Sequence, residues 1–540
     1  MDDRINSHST NKDIEEKIKK LDKESATVEY TGFWGKLISC ICICFSLFHI
    51  YTGFFGTFDA MIQRCIHLSF GISLVFLLCP TKNSWIREGK VHPVDLSLAI
   101  TSLIPPLYIL LNYQSLILRA GTVTQVDFII GLLGILMVLE AARRIVGWSI
   151  VCVVLLFLGY GYFGPYLPGP LAHRGLTLQQ MVSHLFFTTE GVYGIPLGVS
   201  STFIFLFILF GAYLEKTGLG KFFIDISNAI AGWASGGPAK VSVISSALQG
   251  TISGSSVANV VGSGSFTIPM MKKLGYKKDF AGAVEAAAST GGQIMPPIMG
   301  AAAFLMAEFI GVPYMSIVKA AIVPAMLYFI GVFLGVHFEA KKECLEGTPR
   351  NKLPPIKDIM KEEGHLAIPL ISIIGLLASG YTPMKAALAG IVISIFTAML
   401  RETTRMTFND IVSGLIKGAR GALGVLIACA AAGMIIGGVN RCGIEISFLF
   451  GRVIWGTYDS PSFLHYDYIF DFRDGSSYYC QLRNYFYYCC TGINWCGGSF
   501  IGGTYVCILF WYYCRYYTPC CFSSICRICY FRRKSVENSS

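Results

Sequence analysis

Two stretches of the sequence decide the fold: residues 248–265, LQGTISGSSVANVVGSGS, and residues 289–300, STGGQIMPPIMG. Both interrupt apolar segments with Gly, Ser, Thr or Pro. A backbone group released from a helix cannot remain unpaired in lipid, so an interrupted segment persists at membrane depth only where protein or a cavity satisfies it. Interruptions of this kind are the best sequence indication of a binding site inside a membrane protein.

The composition places these stretches in a membrane. The chain has 540 residues, of which 53% are hydrophobic and 14% charged, with a mean hydropathy of +0.56. A soluble core of that length cannot bury so much apolar surface, and the apolar runs predict at least ten membrane-spanning helices. The first unit, residues 31–170, should contain spans at about 33–54, 62–80, 94–113, 126–142 and 147–167. We therefore expect an all-α polytopic membrane protein.

The positive charge indicates topology rather than nucleic-acid binding. The formal net charge is +10, but the cations lie in short clusters between apolar runs, which is the distribution described by the positive-inside rule. Residues 1–30 form a polar tail without the apolar stretch of a signal peptide. We expect a multi-pass protein of a bacterial inner membrane with a cytoplasmic N-terminus. The cytoplasmic clusters would include residues 12–23, 82–90, 143–144, 272–278 and 341–361.

The first interruption predicts a re-entrant hairpin. Basic residues flank it at Lys240 and at residues 272–278. If both flanks are cytoplasmic, the segment must enter and leave the membrane on the same side. Its tip would be formed by Gly254, Ser255 and Ser256.

The second interruption predicts a broken helix. It lies within residues 280–310, a stretch long enough to span a membrane. Gly291 and Gly292 would unwind the helix, and Pro296 and Pro297 would delay its restart until a turn in which proline is tolerated.

These breaks supply ligands for ions and carboxylates. An unwound turn exposes carbonyl oxygens, which suit a hard cation, and a restarting helix presents free N–H groups, which suit a carboxylate. We expect sodium as the cation and no other cofactor. Its side-chain ligands would be Ser255, Ser256, Asn259 and Thr290. The whole ion and substrate site would comprise Ser253, Gly254, Ser255, Ser256, Asn259, Thr290, Gly291, Gly292, Gln293, Pro296 and Pro297.

Other interpretations apply to each feature alone. Gly and Ser in membrane helices are usually close-packing residues, but two adjacent interruptions, one with Gly-Gly before Pro-Pro, favour a site. Glu285 is either a buried functional carboxylate or a helix-start residue near the cytoplasmic face. Glu140, Arg143 and Arg144 should be interfacial. No His, Cys or carboxylate set has catalytic spacing, so we expect no enzyme and no catalytic residue.

The same motifs carry a family resemblance. Within residues 246–314, SGSSVANVVGSGSFTIPMMKKLGY and then AAASTGGQIMPPIMGAAAFLMAEFIGVPY closely resemble the large membrane subunit of TRAP (tripartite ATP-independent periplasmic) transporters. The resemblance extends more loosely over residues 33–443. The chain most closely resembles the form of these transporters in which the small and large subunits are fused and a TAXI-type periplasmic solute-binding protein serves them.

This resemblance implies a fold and a function. The fold would be an elevator-type transporter with inverted repeats. The function would be sodium-coupled import of a small organic acid that the periplasmic protein delivers. Residues 31–170 would be the small-subunit-like domain, and residues 191–443 would be the large-subunit-like transport domain. The hairpin and the broken helix would form half of the ion and substrate site.

The last 90 residues do not continue this pattern. They hold 10 of the 19 Cys and 14 of the 27 Tyr but neither Ala nor Met. A metal or disulfide framework has weak support, because Cys526 and Cys529 have no partner CxxC pair and His465 is the only histidine there. The second repeat is therefore disrupted in the sequence as it stands.

A shifted reading frame accounts for this composition. Moving each codon forward by one base lets residues 473–482, RDGSSYYCQL, encode GMGLPTTANY, and residues 510–524, FWYYCRYYTPCCFSS, encode FGIIADITPPVALAA. These sequences mirror the two interruptions in order, as a second inverted repeat requires. We expect the shift to begin between residues 441 and 458, so that residues 444–540 are the frameshifted remainder of the transport domain.

Three alternatives remain open from the sequence. The chain could be an elevator-type carrier of dicarboxylates or citrate that works without a binding protein. It could be a membrane scaffold or channel without coupled transport, or a frameshifted product that does not transport.

Overall fold

The computed structural model describes residues 28, 30–81, 90–119, 122–168 and 173–441. Most of the predicted polar tail and residues 442–540, with most of the predicted frame-shift interval, lie outside the described residues. Within the described ranges the chain forms helices and connecting segments and contains no β-strand, which confirms the all-α prediction.

The N-terminal unit is a set of apolar helices. They are α1 Gly32–Phe55, α2 Ala60–Leu78, α3 Pro93–Thr101, α4 Ile104–Leu118, α5 Gln125–Ile145 and α6 Trp148–Phe163.

The remaining helices follow a polar connector. They are α7 Leu178–Phe187, α8 Ile195–Val199, α9 Phe205–Lys216, α10 Leu219–Ala231, α11 Gly237–Ser253, α12 Ser256–Leu274, α13 Lys278–Gly291, α14 Ala301–Ile310, α15 Tyr314–Lys342, α16 Ile356–Glu363, α17 Ile368–Ala378, α18 Pro383–Met399 and α19 Phe408–Arg441.

The lengths of these helices agree with a multi-pass protein. In the described part of the chain, 8 helical segments are long and apolar enough to cross a membrane. They include the five spans predicted for the N-terminal unit, the third of which is α3 and α4 taken together as Pro93–Leu118. The shorter apolar helices α14 and α18 add to these.

The N-terminal unit contains a buried ion pair that the sequence did not predict. Arg144 Nη1 lies 2.8 Å from Asp95 Oδ1 and 3.0 Å from the carbonyl oxygen of Cys79. The guanidinium also lies over the Phe76 ring, 4.7 Å from its centroid. The interfacial role expected of Arg144 is therefore wrong, because its charge is neutralised inside the bundle. Glu140 does pair with Arg143 at a partly exposed position.

The N-terminal helices share a core with the later helices. On α2, His67 lies 2.8 Å from His49 Nε2 of α1 and 3.0 Å from Ser200 Oγ, in the π-helical turn between α8 and α9. The Ser46 hydroxyl donates to the carbonyl oxygen of Leu415 on α19. Buried polar contacts therefore join the two parts.

Helices α11 and α12 form the predicted hairpin. They pack against each other and meet at Gly254, whose φ of 58° is a left-handed conformation that favours glycine. At the other end, the Tyr276 hydroxyl donates to the carbonyl oxygen of Gly236, and Gly236 N donates to Leu345 O. The start and the end of the hairpin thus lie side by side, as a re-entrant segment requires.

One flanking residue does not behave as the topology argument assumed. Lys240 is buried, and its Nζ lies 2.9 Å from His337 Nδ1 and 5.5 Å from the centroid of the Phe333 ring. It is a packed cation of the hairpin and not part of an exposed basic cluster. Lys277, at the other flank, is exposed and pairs with Glu343 at 3.1 Å.

Candidate ion and substrate site

The hairpin tip is a single tight turn. The Ser255 hydroxyl caps α12 by accepting from the Ala258 backbone N–H at 3.4 Å, as an N-cap serine does. The Ser253 hydroxyl donates to the carbonyl oxygen of Ser255 at 3.4 Å. Both hydroxyl groups therefore hold the turn together in this conformation.

The second interruption breaks its helix as predicted. Helix α13 ends at Gly291 and α14 begins at Ala301, and the peptide bond between Pro296 and Pro297 is cis. Gly300 N donates to Gln293 O at 2.7 Å, which closes the intervening loop. The Tyr314 hydroxyl contacts the carbonyl oxygen of Pro297 at 2.7 Å.

The tip and the break contact each other directly. A Cβ added to Gly254 would lie 2.1 Å from Met299 O, and one added to Gly250 would lie 2.4 Å from Gly292 Cα. No real Cβ tolerates such distances from a backbone atom, so only glycine permits this approach. Gln293 Nε2 lies 3.1 Å from Ser256 Oγ and joins the two elements through side chains.

Asn259 lies at the centre of this contact. It is 1% exposed, and its Nδ2 donates to Ser246 O at 2.8 Å and contacts Ser289 O at 3.5 Å. Within the described residues, its Oδ1 is buried and has no hydrogen-bond partner. A buried oxygen without a partner is costly in a protein interior, and it is the kind of atom that coordinates a hard cation.

The predicted site residues thus divide into two groups. The first group lies where the hairpin tip contacts the break in the helix, a place that we call the junction: Ser256, Asn259, Gly292 and Gln293. The others support the backbone around it: the Thr290 hydroxyl donates to Ala286 O at 2.7 Å, and a Cβ at Gly291 would overlap the ring of Tyr328.

The sequence left one buried carboxylate unassigned. Glu285 is 0% exposed, so the helix-start interpretation is wrong. Hydroxyl groups from three helices contact it: Ser242 and Ser246 from α11, Ser263 and Thr267 from α12, and Ser289 from α13 itself. Gly264 gives it room, because a Cβ there would lie 3.0 Å from Glu285 Cγ.

A sequence signal for this group did exist. Helices α11 and α12 each place their two contacting hydroxyl groups four residues apart, and on α13 Ser289 lies four residues after Glu285. The two residues of each pair therefore share one face of their helix. The pattern shows which faces are polar, but it does not show that the three faces meet. Within the described residues, no group of three or more His, Cys, Asp or Glu side chains is placed to hold a metal ion.

Together, the helices and the junction define a polytopic membrane protein organised around a helical hairpin and a broken helix. Residues 133–464 match the family model of the tripartite ATP-independent periplasmic transporter, DctM component, and the chain belongs to this family.

Curated relatives agree with this family. The C4-dicarboxylate TRAP transporter large permease protein DctM of Vibrio cholerae is 29% identical over 235 residues, which are 42% of this chain and 49% of that protein. The sialic acid TRAP transporter large permease protein SiaM of the same species is 23% identical over 214 residues, 39% of this chain and 50% of that protein.

A third relative matches as well. The isethionate TRAP transporter permease protein DctMQ of Oleidesulfovibrio alaskensis is 29% identical over 217 residues, 38% of this chain and 33% of that protein. The chain spans about half the length of the two V. cholerae relatives and about a third of this one. All three are named as transporter permeases and none as an enzyme.

Proposed function

We propose that the chain is the permease of a sodium-coupled secondary transporter that imports a small organic acid across a bacterial inner membrane. A TAXI-type periplasmic solute-binding protein delivers the acid, and small-subunit-like and large-subunit-like domains are fused in this chain. The observation that supports this most directly is the junction of the hairpin tip with the broken helix, where the Oδ1 of Asn259 is buried without a partner among the described residues.

The junction suits sodium binding for a chemical reason. Asn259 offers an amide oxygen, and the neighbouring Ser256 offers a hydroxyl. The loop from Gly292 to Gly300 adds backbone carbonyl oxygens, since it is not helical. Oxygen ligands of this kind are those that hard cations prefer. Entry of one sodium ion down a potential of about 100 mV supplies about 2.3 kcal/mol.

The proposed topology follows the positive-inside rule. The two ends of the hairpin and the C-terminal end of α15 lie together, and Lys272, Lys273, Lys341 and Lys342 lie at that end. We place this end in the cytoplasm and the hairpin tip inside the membrane. Six candidate spans precede the hairpin among the described residues, and because that number is even we place the N-terminus in the cytoplasm as well.

Reconstitution tests this function. The chain, with its frame restored after Arg441, is placed in proteoliposomes together with its TAXI-type binding protein, and C4-dicarboxylates and other small carboxylates are supplied one at a time. We expect uptake of one of them only when both the binding protein and an inward sodium gradient are present. Uptake without the binding protein would favour a self-sufficient dicarboxylate or citrate carrier. No concentrative uptake under any condition would favour a channel or a scaffold.

A further inference from the structure

Glu285 connects the three helices that meet at the junction. The carboxylate and the five hydroxyl-bearing residues around it are all 0% exposed. Glu285 Oε2 lies 2.7 Å from Ser242 Oγ on α11 and 2.5 Å from Thr267 Oγ1 on α12. Oε1 contacts the other three hydroxyl groups, those of Ser246 on α11, Ser263 on α12 and Ser289 on α13. These five groups, which we call the hydroxyl ring, tie both arms of the hairpin to the broken helix.

A carboxylate suits the hydroxyl ring because both of its oxygens only accept, whereas each hydroxyl group has a proton to donate. In the described part of the chain, no ion pair includes Glu285, so hydroxyl groups take the place of a cationic partner. A glutamine would replace one acceptor oxygen by an NH2 donor. The hydroxyl groups on that side would then have to turn their protons away, and the ring would loosen.

Asn259 joins the same three helices one turn away. It lies on α12, four residues before Ser263, so the two side chains share one face of the helix. Its Nδ2 donates to Ser246 O on α11 at 2.8 Å and contacts Ser289 O on α13 at 3.5 Å. Ser263 Oγ lies 2.8 Å from Asn259 O and also contacts Glu285. Three residues of the hydroxyl ring therefore touch both Glu285 and Asn259.

These contacts determine which way the amide of Asn259 points. Ser246 O and Ser289 O are carbonyl oxygens that can only accept, so the amide nitrogen must face them. Oδ1 then faces away from them, and it is the atom that is buried without a partner among the described residues. Ser289 O also accepts from Gly292 N at 3.1 Å, which ties the first residue of the break to the same carbonyl. The position of Oδ1 therefore depends on how α11, α12 and α13 are held together.

We propose that Glu285 is a positioning residue of the sodium site. By holding α11, α12 and α13 together through the hydroxyl ring, it fixes the amide of Asn259 so that Oδ1 is presented to the ion. Glu285 does not itself bind the ion, because hydroxyl groups occupy both of its oxygens. This inference rests on the proposed function, and it gives a role to a carboxylate that is not among the predicted ion ligands.

Sodium binding to the purified protein tests this role without transport. The full-length, frame-restored chain is titrated with sodium chloride, with choline chloride keeping the ionic strength constant, and its melting temperature is followed. An ion that binds the folded state raises this temperature, and the dissociation constant so obtained is separate from the stability of the sodium-free protein. Replacing a residue that orients a metal ligand typically costs about 10–100-fold in affinity. We expect a loss of that size in Glu285→Gln.

An exposed glutamate provides the control for this substitution. Glu308→Gln removes a carboxylate that is not buried, so it should keep the sodium affinity of the parent. A folded Glu285→Gln variant that also keeps the parent's affinity would overturn the proposal.

Two neighbouring serines separate positioning from general packing, and they test the proposal even if Glu285→Gln fails to fold. Ser245 and Ser246 are both 0% exposed on α11. The Ser246 hydroxyl contacts Glu285, whereas the Ser245 hydroxyl donates within its own helix, to Ser242 O at 3.2 Å. Ser246→Ala should therefore weaken sodium binding, and Ser245→Ala should not. Equal sodium affinities of these two variants would overturn the proposal.

A double substitution tests whether Glu285 acts through Asn259. Asn259→Ala already removes the oxygen that Glu285 is proposed to position, so adding Glu285→Gln should cause no further loss of sodium affinity. Residues that act independently give losses that multiply. A double variant whose loss equals the product of the two single losses would therefore contradict the positioning role.

Proteoliposomes separate this inference from the proposed function. Glu285→Gln should need more sodium than the frame-restored parent for half-maximal uptake. Sodium-driven uptake with the same half-maximal sodium concentration in both proteins would defeat only the positioning role. No uptake by a parent that binds sodium would defeat the proposed function and leave the positioning role to the binding measurements. A parent that neither binds sodium nor transports would defeat both.

Discussion

Gly250 and Gly292 meet backbone to backbone. A Cβ on Gly250 would lie 2.4 Å from Gly292 Cα, and a Cβ on Gly292 would lie 2.8 Å from Gly250 Cα. The first residue belongs to the hairpin arm α11 and the second to the break after α13. Close packing of small residues is a principal way in which membrane helices associate, and here it fixes the distance between the two halves of the junction.

This contact predicts a strong effect of small substitutions. Gly250→Ala or Gly292→Ala should separate the hairpin from the break. We expect such overpacking to lower the free energy of unfolding of the purified protein by about 1–3 kcal/mol. Gly282→Ala on α13 is the matched control, because a Cβ added there would have no atom of the described residues within 4 Å. The control should be neutral or more stable by up to about 1 kcal/mol. Equal stabilities of Gly250→Ala and Gly282→Ala would show that the two backbones are not in contact.

The sodium ligands can be tested one by one. Replacing Asn259 by Ala removes the buried Oδ1 that has no partner among the described residues, so we expect a higher sodium concentration for half-maximal uptake by the frame-restored protein. Ser256→Ala should act in the same direction, since Ser256 lies beside Gln293 at the junction.

Ser255→Ala provides a comparison within the same turn. Its hydroxyl caps α12, and loss of an N-cap costs about 0.5–2 kcal/mol of stability. If the hydroxyl also binds sodium, the half-maximal sodium concentration will rise as well. Unchanged sodium dependence in Asn259→Ala, Ser256→Ala and Ser255→Ala would leave all three as packing residues.

The re-entrant hairpin predicts which side of the membrane its ends face. Lys240 is unsuitable as a labelling position because it is buried, whereas Trp233 and Lys277 are exposed on either flank. Single cysteines at these two positions, in a variant with its native cysteines replaced, should both react with an impermeant maleimide only from the cytoplasmic side. Reaction of either cysteine from the periplasm would contradict both the re-entrant path and the proposed orientation.

The hairpin and the broken helix could be predicted because their causes are local. The glycine with a positive φ at the tip, and the Gly-Gly and Pro-Pro pairs at the break, each determine the backbone conformation of only a few neighbouring residues. The burial of Arg144 and the ring of hydroxyl groups that contact Glu285 could not be predicted. Each depends on partners from other helices, Asp95 for the first and both hairpin arms for the second. A periodic pattern shows that a face is polar but does not identify what that face meets.

The reading frame provides the last prediction. An alternating-access site at the membrane midplane needs broken segments from both repeats, and the described helices supply the pair from one repeat only. Without a change of frame, the chain should therefore bind the ion weakly and fail to transport. Arg473, Asp474 and Arg483 would also stand where the second repeat needs apolar residues, and each charge costs at least about 2.5–3.5 kcal/mol at bilayer depth.

The comparison requires two genes that differ by one base. The unaltered chain and a chain whose frame is restored before Tyr458 are expressed with the same binding protein, and their membrane abundance and sodium-driven uptake are measured. We expect the restored chain to be more abundant and to transport, because its C-terminal helices can insert and complete the site. Equal uptake by the two chains would defeat both the frame-shift interpretation and the hypothesis of a site built from two repeats. Equal abundance with uptake by the restored chain alone would keep the two-repeat site and show that the charged segment does not prevent insertion.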